Sequence, residues 1–472
     1  MNEVEIKEAP KGIVNVLGAI GPGIVLSGAV IGSGELLVTT RIGAQFGYIF
    51  LWGVILCCVI KYFVQIELGR YVIITNLTSV PAFNRFPILR FRGTSILNLF
   101  FFAMLAMIAP AFGGIFGACA GLLYSLFPFI PSKLWGIILY ASVTVILWRG
   151  YYKDIEKLVV TLVGGFSLAI IICFFLLQGT QYHVNASALL SGLTFKIPQD
   201  GILVAFALMG SVGVTALELF MYPYWLTEKG YGRYVGQRSE TNMNEWIGRQ
   251  KGWMTVLKAD ALICTLIATI ITIAYYLVAA SILHYGLGEV PTGIEVVKGV
   301  ANMFTESYGS WSYGIFMFGA LCTLVSTLYV NAAFWGRAWT DFFDSLGIIK
   351  VEAAGTRLKW HRFFQTFWPG VWLVFFLGIP KPMTILIWGA RFVSLWLPFI
   401  SLAVAYLAKE VLREVKLSRA TAIALWTTIG CIIVYTMGYF LMSTQESLLY
   451  RWGFSILTAA LTVYTIFVCA KE

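Results

Sequence analysis

The sequence predicts an all-α integral membrane protein that crosses the bilayer about twelve times. Of the 472 residues, 59% are hydrophobic and only 12% are charged. Soluble globular chains carry about 25% charged residues, so this composition excludes an ordinary soluble protein. A hydrocarbon core of about 30 Å requires about 20 apolar helical residues. Twelve runs come close to that length, near 13–44, 46–70, 95–126, 134–149, 156–178, 200–226, 254–284, 309–337, 361–380, 382–408, 419–443 and 449–470.

The positions of the basic residues predict how the chain is oriented. Lys and Arg are concentrated in the loops that follow the even-numbered spans, for example Arg85 and Arg90 after the second span and Arg233 after the sixth. Because basic loops stay on the cytoplasmic side, both termini are predicted in the cytoplasm, most simply of a plasma (inner) membrane. This placement accounts for the net charge of +10 without a nucleic-acid partner. The expected partners are the lipid bilayer and a small solute or cation.

Two spans contain glycine-rich interruptions that predict broken helices. They are the stretch 32–35 in the first span and the stretch 210–218 in the sixth, and each ends in a glutamate, Glu35 or Glu218. Glycine costs about 1 kcal/mol in a helix interior, and a carboxylate at the bilayer centre costs about 2.5–3.5 kcal/mol. Broken helices at corresponding positions of two five-helix halves indicate inverted repeats with a binding site near the membrane midplane. The alternative is that each glycine cluster is only a close helix–helix contact.

This pattern divides the chain into three parts. The first inverted repeat is predicted over residues 1–178, with spans one to five. The second is predicted over residues 179–408, with spans six to ten. Residues 409–472 then form two additional C-terminal spans.

Several stretches of the chain resemble NRAMP-type (natural resistance-associated macrophage protein) divalent metal transporters. Gly21–Gly23, the interruption at 32–35 and then Gly43–Tyr48 look like the first helix of that family. The resemblance covers most of the chain and implies a LeuT-type fold that works by alternating access. Four further similar stretches occur in the same order as in the family: Trp52–Gln65, Glu156–Leu158, Leu257–His284 and Ser394–Phe399.

The positions that hold the metal in that family carry different residues here. The family's Asp-Pro-Gly-Asn break corresponds to the stretch 32–35, which reads Gly-Ser-Gly-Glu. Its sixth-helix Met corresponds to Val214 or Leu217, and its tenth-helix Gln corresponds to Ala390. Because thioether ligands favour transition metals over hard ions, the resemblance implies a divergent member without the conventional metal site.

The third helix differs from the family in the same direction. Two carboxylates that resemble a proton relay there correspond to Ala111 and Gly114 in this chain. A relay needs titratable groups, and these two positions supply none. Proton coupling is therefore expected either to use Glu35 or Glu218 or to be absent.

These replacements predict a wider and less polar site than a metal requires. Apolar and aromatic walls with a few polar groups suit small organic molecules, and a carboxylate beside aromatic faces suits an organic cation. We therefore expect an NRAMP-like secondary transporter that moves a small amine or zwitterionic solute. The alternatives are a transporter of hydrated Mg²⁺, which needs only one or two carboxylates, and a transporter-shaped solute receptor. The sequence has no phosphate-binding loop or nucleophile elbow, so neither an enzyme nor a cofactor is expected.

The predicted site residues fall into two sets. The substrate-binding set surrounds the two interruptions and consists of Glu35, Gly32, Ser33, Gly34, Val214, Leu217, Glu218, Tyr222 and Ala390. The coupling or gating set contains charged residues inside the spans, namely Arg41, Lys61 and Arg391. The alternatives for this set are an interfacial anchor for Arg41, an ion pair or snorkelling for Lys61, and a structural pair with Glu67 or Glu218 for Arg391.

Overall fold

The chain folds into a bundle of helices, and its described residues include a short two-stranded hairpin. The computed structural model describes residues 6–32, 34–149, 151–198, 201–236, 243–288, 290, 294–351, 353–378, 382–411, 418–442 and 447–471. Ser33, one of the predicted binding residues, lies outside the described residues.

The first part of the chain forms the first five predicted spans. Helices α1 (Ile13–Ala19) and α2 (Pro22–Val30) meet at a bend of 59°. After the first interruption, the span continues as a π-helical segment (Gly34–Thr39) and α3 (Thr40–Phe46). The next helices follow in chain order: α4 (Leu51–Val59), α5 (Tyr62–Thr75), α6 (Ser79–Phe83), α7 (Ile96–Met107), α8 (Ala109–Leu126), α9 (Ser132–Leu147) and α10 (Tyr152–Gln178). Before α7, the strands β1 (Arg90–Phe91) and β2 (Thr94–Ser95) pair antiparallel.

The second part of the chain contains the sixth to twelfth predicted spans. Its helices are, in chain order, α11 (Ala186–Ser191), α12 (Ile202–Ser211), α13 (Ala216–Lys229), α14 (Tyr231–Val235), α15 (Met243–Ala279), which continues as a π-helical segment (Ala280–Leu287), α16 (Ile294–Tyr308), α17 (Ser310–Ser345), α18 (Ala354–Gly378), α19 (Pro382–Glu410), α20 (Arg419–Met442) and α21 (Leu448–Lys471).

The helices account for the predicted membrane spans. Within the described residues, nine helices are long and apolar enough to cross a membrane, and the bent pair of α1 and α2 raises this number to ten. The predicted fourth span corresponds to the shorter apolar helix α9, and the predicted ninth span lies in α18. The prediction of an all-α, multi-pass membrane protein is confirmed, whereas the count of twelve spans stays a prediction.

Both predicted helix interruptions are present. After α2, Ile31 adopts an extended conformation (φ −80°, ψ 90°). After α12, Val212 is extended and Gly213 has φ +66°. Glycine adopts this left-handed conformation at little steric cost, whereas a residue with a Cβ atom is strained in it. The glycine-rich sequence therefore explains why the sixth span breaks at this position.

The broken helices lie at the centre of the bundle. In the most apolar stretch of the sixth span (Val204–Lys229), 89% of the residues are buried inside the protein. In the corresponding stretches of α20 and α21, only 28% and 17% of the residues are buried. Helix α2 packs against α10, α13, α15 and α17. The two C-terminal helices are thus peripheral, as expected for additional spans. The proposed repeat boundaries at residues 178 and 408 fall close to the ends of α10 and α19 and stay a prediction.

Candidate functional site

A cavity of about 100 Å³ lies where the two helix interruptions meet. Its walls come from α2 and the segment after it, from α8, from both halves of the sixth span, and from α17 and α19. Four predicted binding residues line it, namely Gly34, Leu217, Glu218 and Ala390. Ala111, at the position of the missing proton relay, also lines the cavity. The two interruptions therefore meet at one cavity, and the binding roles predicted for these residues stay predictions.

The carboxylate of Glu35 joins the two interruptions instead of facing the cavity. Its Oε2 accepts a hydrogen bond from the Gly32 backbone N–H at 3.0 Å, and its Oε1 accepts one from the Gly213 N–H at 3.1 Å. The side chain is fully buried, and it is not among the residues that line the cavity. Both oxygens are therefore used to connect the break of the first span to the break of the sixth.

We expect Glu35→Gln to lower the free energy of unfolding by about 1–3 kcal/mol, because one buried N–H loses its acceptor. A glutamine has one acceptor oxygen, so its NH₂ group must point at either Gly32 or Gly213, which both donate. Thermal unfolding of the purified protein measures the change. Glu245→Gln, at an exposed position of α15, is the matched control. An unchanged melting temperature for Glu35→Gln would contradict the connecting role.

Lys61 holds the end of the first half of the sixth span. Its Nζ donates to the Met209 carbonyl at 2.8 Å and to the Val212 carbonyl at 2.7 Å, and the residue is fully buried. Carbonyls at a helix C-terminus lack N–H partners and carry partial negative charge, so a cation is favourable there. The predicted alternative of an ion pair is thus replaced by contacts with backbone carbonyls. Its role in coupling or gating stays a prediction.

Glu218 starts the second half of the sixth span and also lines the cavity. Its Oε2 accepts from the Thr215 N–H at 2.9 Å and from the Thr215 hydroxyl. The Thr215 hydroxyl oxygen in turn accepts from the Leu217 N–H at 3.3 Å, which completes a capping box. A capping box satisfies the N–H groups that the first turn of a helix leaves free. Glu218 is the only ionisable side chain among the described lining residues.

Asn331 on α17 is a cavity residue that the sequence analysis missed. It is 1% exposed, and its Nδ2 donates to the Thr327 carbonyl at 2.9 Å. Its Oδ1 has no hydrogen-bond partner among the described residues. A buried, unsatisfied amide oxygen costs free energy, so Asn331 is suited to accept from a ligand. The sequence did contain a signal for this residue, because a polar asparagine inside an apolar membrane span indicates a functional position.

Tyr222 belongs to a different cluster, at the start of α2. Its hydroxyl donates to Asp260 Oδ2 at 2.7 Å. The same carboxylate accepts from the Gly21 N–H at 2.9 Å and from the Gly23 N–H at 2.7 Å. Val214 is buried but is not a lining residue of the cavity. Neither Tyr222 nor Val214 is among the residues that line the cavity, and the binding roles predicted for both stay predictions.

The two predicted gating arginines lie away from the cavity. Arg41 is half-buried on α3. Arg391 lies over the ring of Trp388, 5.1 Å from its centroid, and lines a separate groove of about 660 Å³ between α7, α19 and α21. Glu67, one predicted partner of Arg391, pairs with Arg70 at 2.8 Å. The gating roles of both arginines stay predictions.

The polar atoms around the cavity suit hard ligands better than soft ones. In the described part of the chain, no group of three or more His, Cys, Asp or Glu side chains is arranged to hold a metal ion. Among the described residues that line the cavity, the side-chain acceptors are the carboxylate of Glu218, the amide oxygen of Asn331 and the hydroxyls of Ser211, Thr215 and Thr327. None of these contains sulfur, which selective binding of a soft transition-metal ion would favour.

A central cavity between two broken helices, inside a multi-pass bundle, is typical of the membrane transporter class. The family model of natural resistance-associated macrophage protein-like (Nramp) proteins matches residues 23–443. The chain therefore belongs to the Nramp family, as its resemblance predicted. No individual curated protein sequence matches the chain.

Solved structures of transporters resemble the whole chain. Eremococcus coleocola manganese transporter, in complex with an aromatic bis-isothiourea substituted compound, is 16% identical with a TM-score of 0.66, covering 100% of this chain and 99% of that chain. MHP1, a nucleobase-cation-symport-1 family transporter with bromovinylhydantoin bound, is 13% identical with a TM-score of 0.55, covering 100% and 96%. MhsT in complex with L-phenylalanine is 15% identical with a TM-score of 0.53, covering 93% and 100%. These likenesses confirm the predicted LeuT-type fold.

Proposed function

We propose that this Nramp-family protein is a secondary transporter that carries a small organic ammonium solute by alternating access. One observation carries the proposal: among the described lining residues, a single carboxylate, from Glu218, and an amide oxygen without a described partner, from Asn331, stand in mostly apolar walls. Pockets of this composition suit small organic ligands. The proposal places both termini in the cytoplasm of an inner or plasma membrane, as the loop charges predict.

The charge of the cavity favours a cation. Glu218 is 6% exposed and is the only ionisable group among the described lining residues. A buried carboxylate is stabilised when an opposite charge binds beside it. An ammonium group has three hydrogen-bond donors, and Glu218 and Asn331 are both lining residues that can accept from it. The side chain of Asn331 thus gains the donor that it lacks.

The size and walls of the cavity favour a small solute with an apolar part. A group the size of a water molecule needs a cavity volume of about 10–15 Å³. The cavity of about 100 Å³ therefore has room for an amine of a few heavy atoms. Ala111, Phe112, Leu386 and Ala390 provide apolar contact surface for its carbon atoms.

The same geometry favours an amine over a zwitterion. A zwitterion also needs a partner for its anionic end, and free N–H groups at a half-helix start often serve in that role. Here the N–H groups of Thr215 and Leu217 are already used in the capping box, and Glu35 accepts from the N–H of Gly213. Arg391 lines another groove.

A second candidate, transport of hydrated Mg²⁺, is supported by the oxygen acceptors of the cavity. Mg²⁺ prefers oxygen ligands, keeps several waters and needs only one or two carboxylates. Glu218, Asn331 and the hydroxyls of Ser211, Thr215 and Thr327 meet that preference. The apolar share of the walls is the argument against it, because such walls do not bind the waters of a hydrated ion.

Thermal unfolding of the purified protein separates the two candidates. We expect propylammonium to raise the melting temperature more than the neutral isostere propanol, because only the cation pairs with Glu218. Glu218→Gln should weaken the apparent affinity for propylammonium by about tenfold to a hundredfold, since hydrogen bonds to charged groups contribute about 1.5–3 kcal/mol. Glu295→Gln, at an exposed position on α16, is the control.

Other results would point elsewhere. Stabilisation by millimolar Mg²⁺ that Glu218→Gln removes, without an amine response, would replace the amine by the hydrated ion. Stabilisation by micromolar Mn²⁺ would contradict both candidates. Uptake of labelled propylammonium into proteoliposomes tests transport, and binding without uptake would indicate a solute receptor.

A further inference from the structure

A groove of about 500 Å³ lies between the end of α9 and the first four turns of α18. Its described lining residues include two basic side chains, Lys359 and Arg362, and no acidic one. We propose that this α9–α18 groove binds the phosphate group of an anionic phospholipid. The inference goes beyond the proposed function, because it concerns a different ligand and different residues.

Two hydrogen bonds hold α18 against the end of α9 and shape the groove. The carbonyls of Leu147 and Trp148 lie at the C-terminal end of α9, where the helix has no N–H groups of its own to offer them. Gln365 Nε2 donates to the Leu147 carbonyl at 2.6 Å, and Arg362 Nε donates to the Trp148 carbonyl at 2.6 Å. The guanidinium carbon of Arg362 also lies 5.7 Å from the centroid of the Trp148 ring. Arg362 is therefore held in place by the protein itself, which lowers the cost of ordering it around a ligand.

The positive charge of the groove is available to a ligand. Only one of the five N–H donors of Arg362, the Nε–H, is used in the bond to α9. No described carboxylate pairs with the Nη groups of Arg362 or with the ammonium group of Lys359. Residues three positions apart on a helix are neighbours on its surface, so the two cations lie on one face of α18. Such a pair suits a phosphate, which forms strong charge-assisted hydrogen bonds with both groups.

The start of α18 adds to this charge. Gly355 lines the groove and lies in the first turn of the helix, where the N–H groups have no acceptor within the helix and carry partial positive charge. A Cβ atom on Gly355 would meet nothing within 4 Å, so the groove is open at this point. An anion beside Lys359 and Arg362 therefore also gains from the helix dipole.

The aromatic part of the groove favours a lipid over a soluble anion. Phe363 and Phe367 follow Lys359 at intervals of four residues, which places them on the same face of α18, and they are 50% and 47% exposed. Val374, two turns further along this face, is 68% exposed. Trp148, a residue type enriched where membrane meets water, is 53% exposed on the other wall. The face thus changes from basic to aromatic to aliphatic, in the order of the head group and acyl chains of a phospholipid.

Thr366 supplies an unused donor between these two parts. Its Oγ1 is enclosed and has no hydrogen-bond partner among the described residues. Threonine hydroxyls in helices commonly bond to a carbonyl of the preceding turn, so this missing contact is unusual. Thr366 lies seven residues, or about 10 Å along the helix axis, beyond Lys359. An ester oxygen of a phospholipid, which lies deeper than its phosphate, would accept from this hydroxyl.

The predicted orientation of the chain agrees with this ligand. The loop charges place the end of α9 and the start of α18 on the cytoplasmic side of the membrane. The cytoplasmic leaflet carries anionic lipids, and basic pockets between transmembrane helices on that side bind their head groups. The α9–α18 groove has the composition and the predicted position of such a pocket.

Thermal unfolding in a neutral detergent tests the site. We expect dioleoyl phosphatidylglycerol to raise the melting temperature of the purified protein more than dioleoyl phosphatidylcholine does, since a ligand bound only by the folded state stabilises it. Lys359→Gln should raise the concentration of phosphatidylglycerol that gives half of this effect about fivefold, the change expected for one lost basic contact with an anionic lipid. Lys359 is exposed, so this variant should fold normally. Lys350→Gln is the matched control, because Lys350 is exposed in the same loop and does not line the groove.

Three results would overturn the proposal. Equal melting temperatures in the two lipids would show that anionic head groups are not bound. An equal loss in Lys350→Gln and Lys359→Gln would indicate general attraction to the basic loop instead of a site. Glycerol phosphate that stabilises the protein as well as phosphatidylglycerol does would indicate a site for a soluble anion. None of these measurements involves an amine or the central cavity, so this proposal and the proposed function fail separately.

Discussion

Replacing Lys61 by Met is expected to lower the free energy of unfolding by about 2–6 kcal/mol. The carbonyls of Met209 and Val212 would lose the ammonium group that donates to both, and an unsatisfied buried acceptor costs about 1–3 kcal/mol. A methionine fills a similar volume, so a cavity does not explain the loss. Thermal or denaturant unfolding of the purified protein in detergent measures it.

Lys258→Met on α15 is the control for this experiment. Lys258 is exposed, so its replacement should change stability by no more than about 0.5 kcal/mol. A Lys61→Met protein that unfolds at the wild-type temperature would show that the end of α12 does not need the cation.

Changing Gly34 to Ala is expected to abolish the binding of propylammonium. The Cβ atom of an alanine would lie 1.8 Å from the carbonyl oxygen of Ser211, which is a backbone atom and has no flexible end to move. The two interruptions must then separate. This separation stretches the hydrogen bond from the Gly213 N–H to Glu35 and changes the shape of the cavity. Overpacking of this kind also costs about 1–3 kcal/mol of stability.

Gly164→Ala on α10 is the matched control, because a Cβ atom there meets nothing within 4 Å. Alanine favours helix more than glycine does, so this variant should be unchanged or slightly more stable. The amine-induced rise in melting temperature reports binding in both variants. A Gly34→Ala protein that still responds to propylammonium would contradict the close approach of the two breaks.

The fold could be predicted because its determinants are local. Long apolar runs predict the spans, and glycine clusters at 32–34 and 210–213 predict the breaks. Gly213 is an example: its φ of +66° is a conformation that favours glycine, so the glycine in the sequence already indicates a break there. The LeuT-type arrangement of these spans was implied by the resemblance to the NRAMP family.

The candidate site was harder to predict because it depends on which way each side chain points. Ala390 lines the cavity, but Arg391 is rotated by about 100° around the same helix and faces a different groove. Glu35 and Glu218 look equivalent in the sequence, since each ends a glycine-rich break. Only the relative position of the breaks decides that Glu35 connects them and Glu218 faces the cavity.

The carboxylate of Asp260 has a consequence for motion at the start of α2. It holds the N–H groups of Gly21 and Gly23 at the start of α2 and the hydroxyl of Tyr222 on α13. Any displacement of α2 away from α15 therefore costs two N–H contacts that end on one side chain. One acidic residue thus ties the start of this helix both to α15 and to α13.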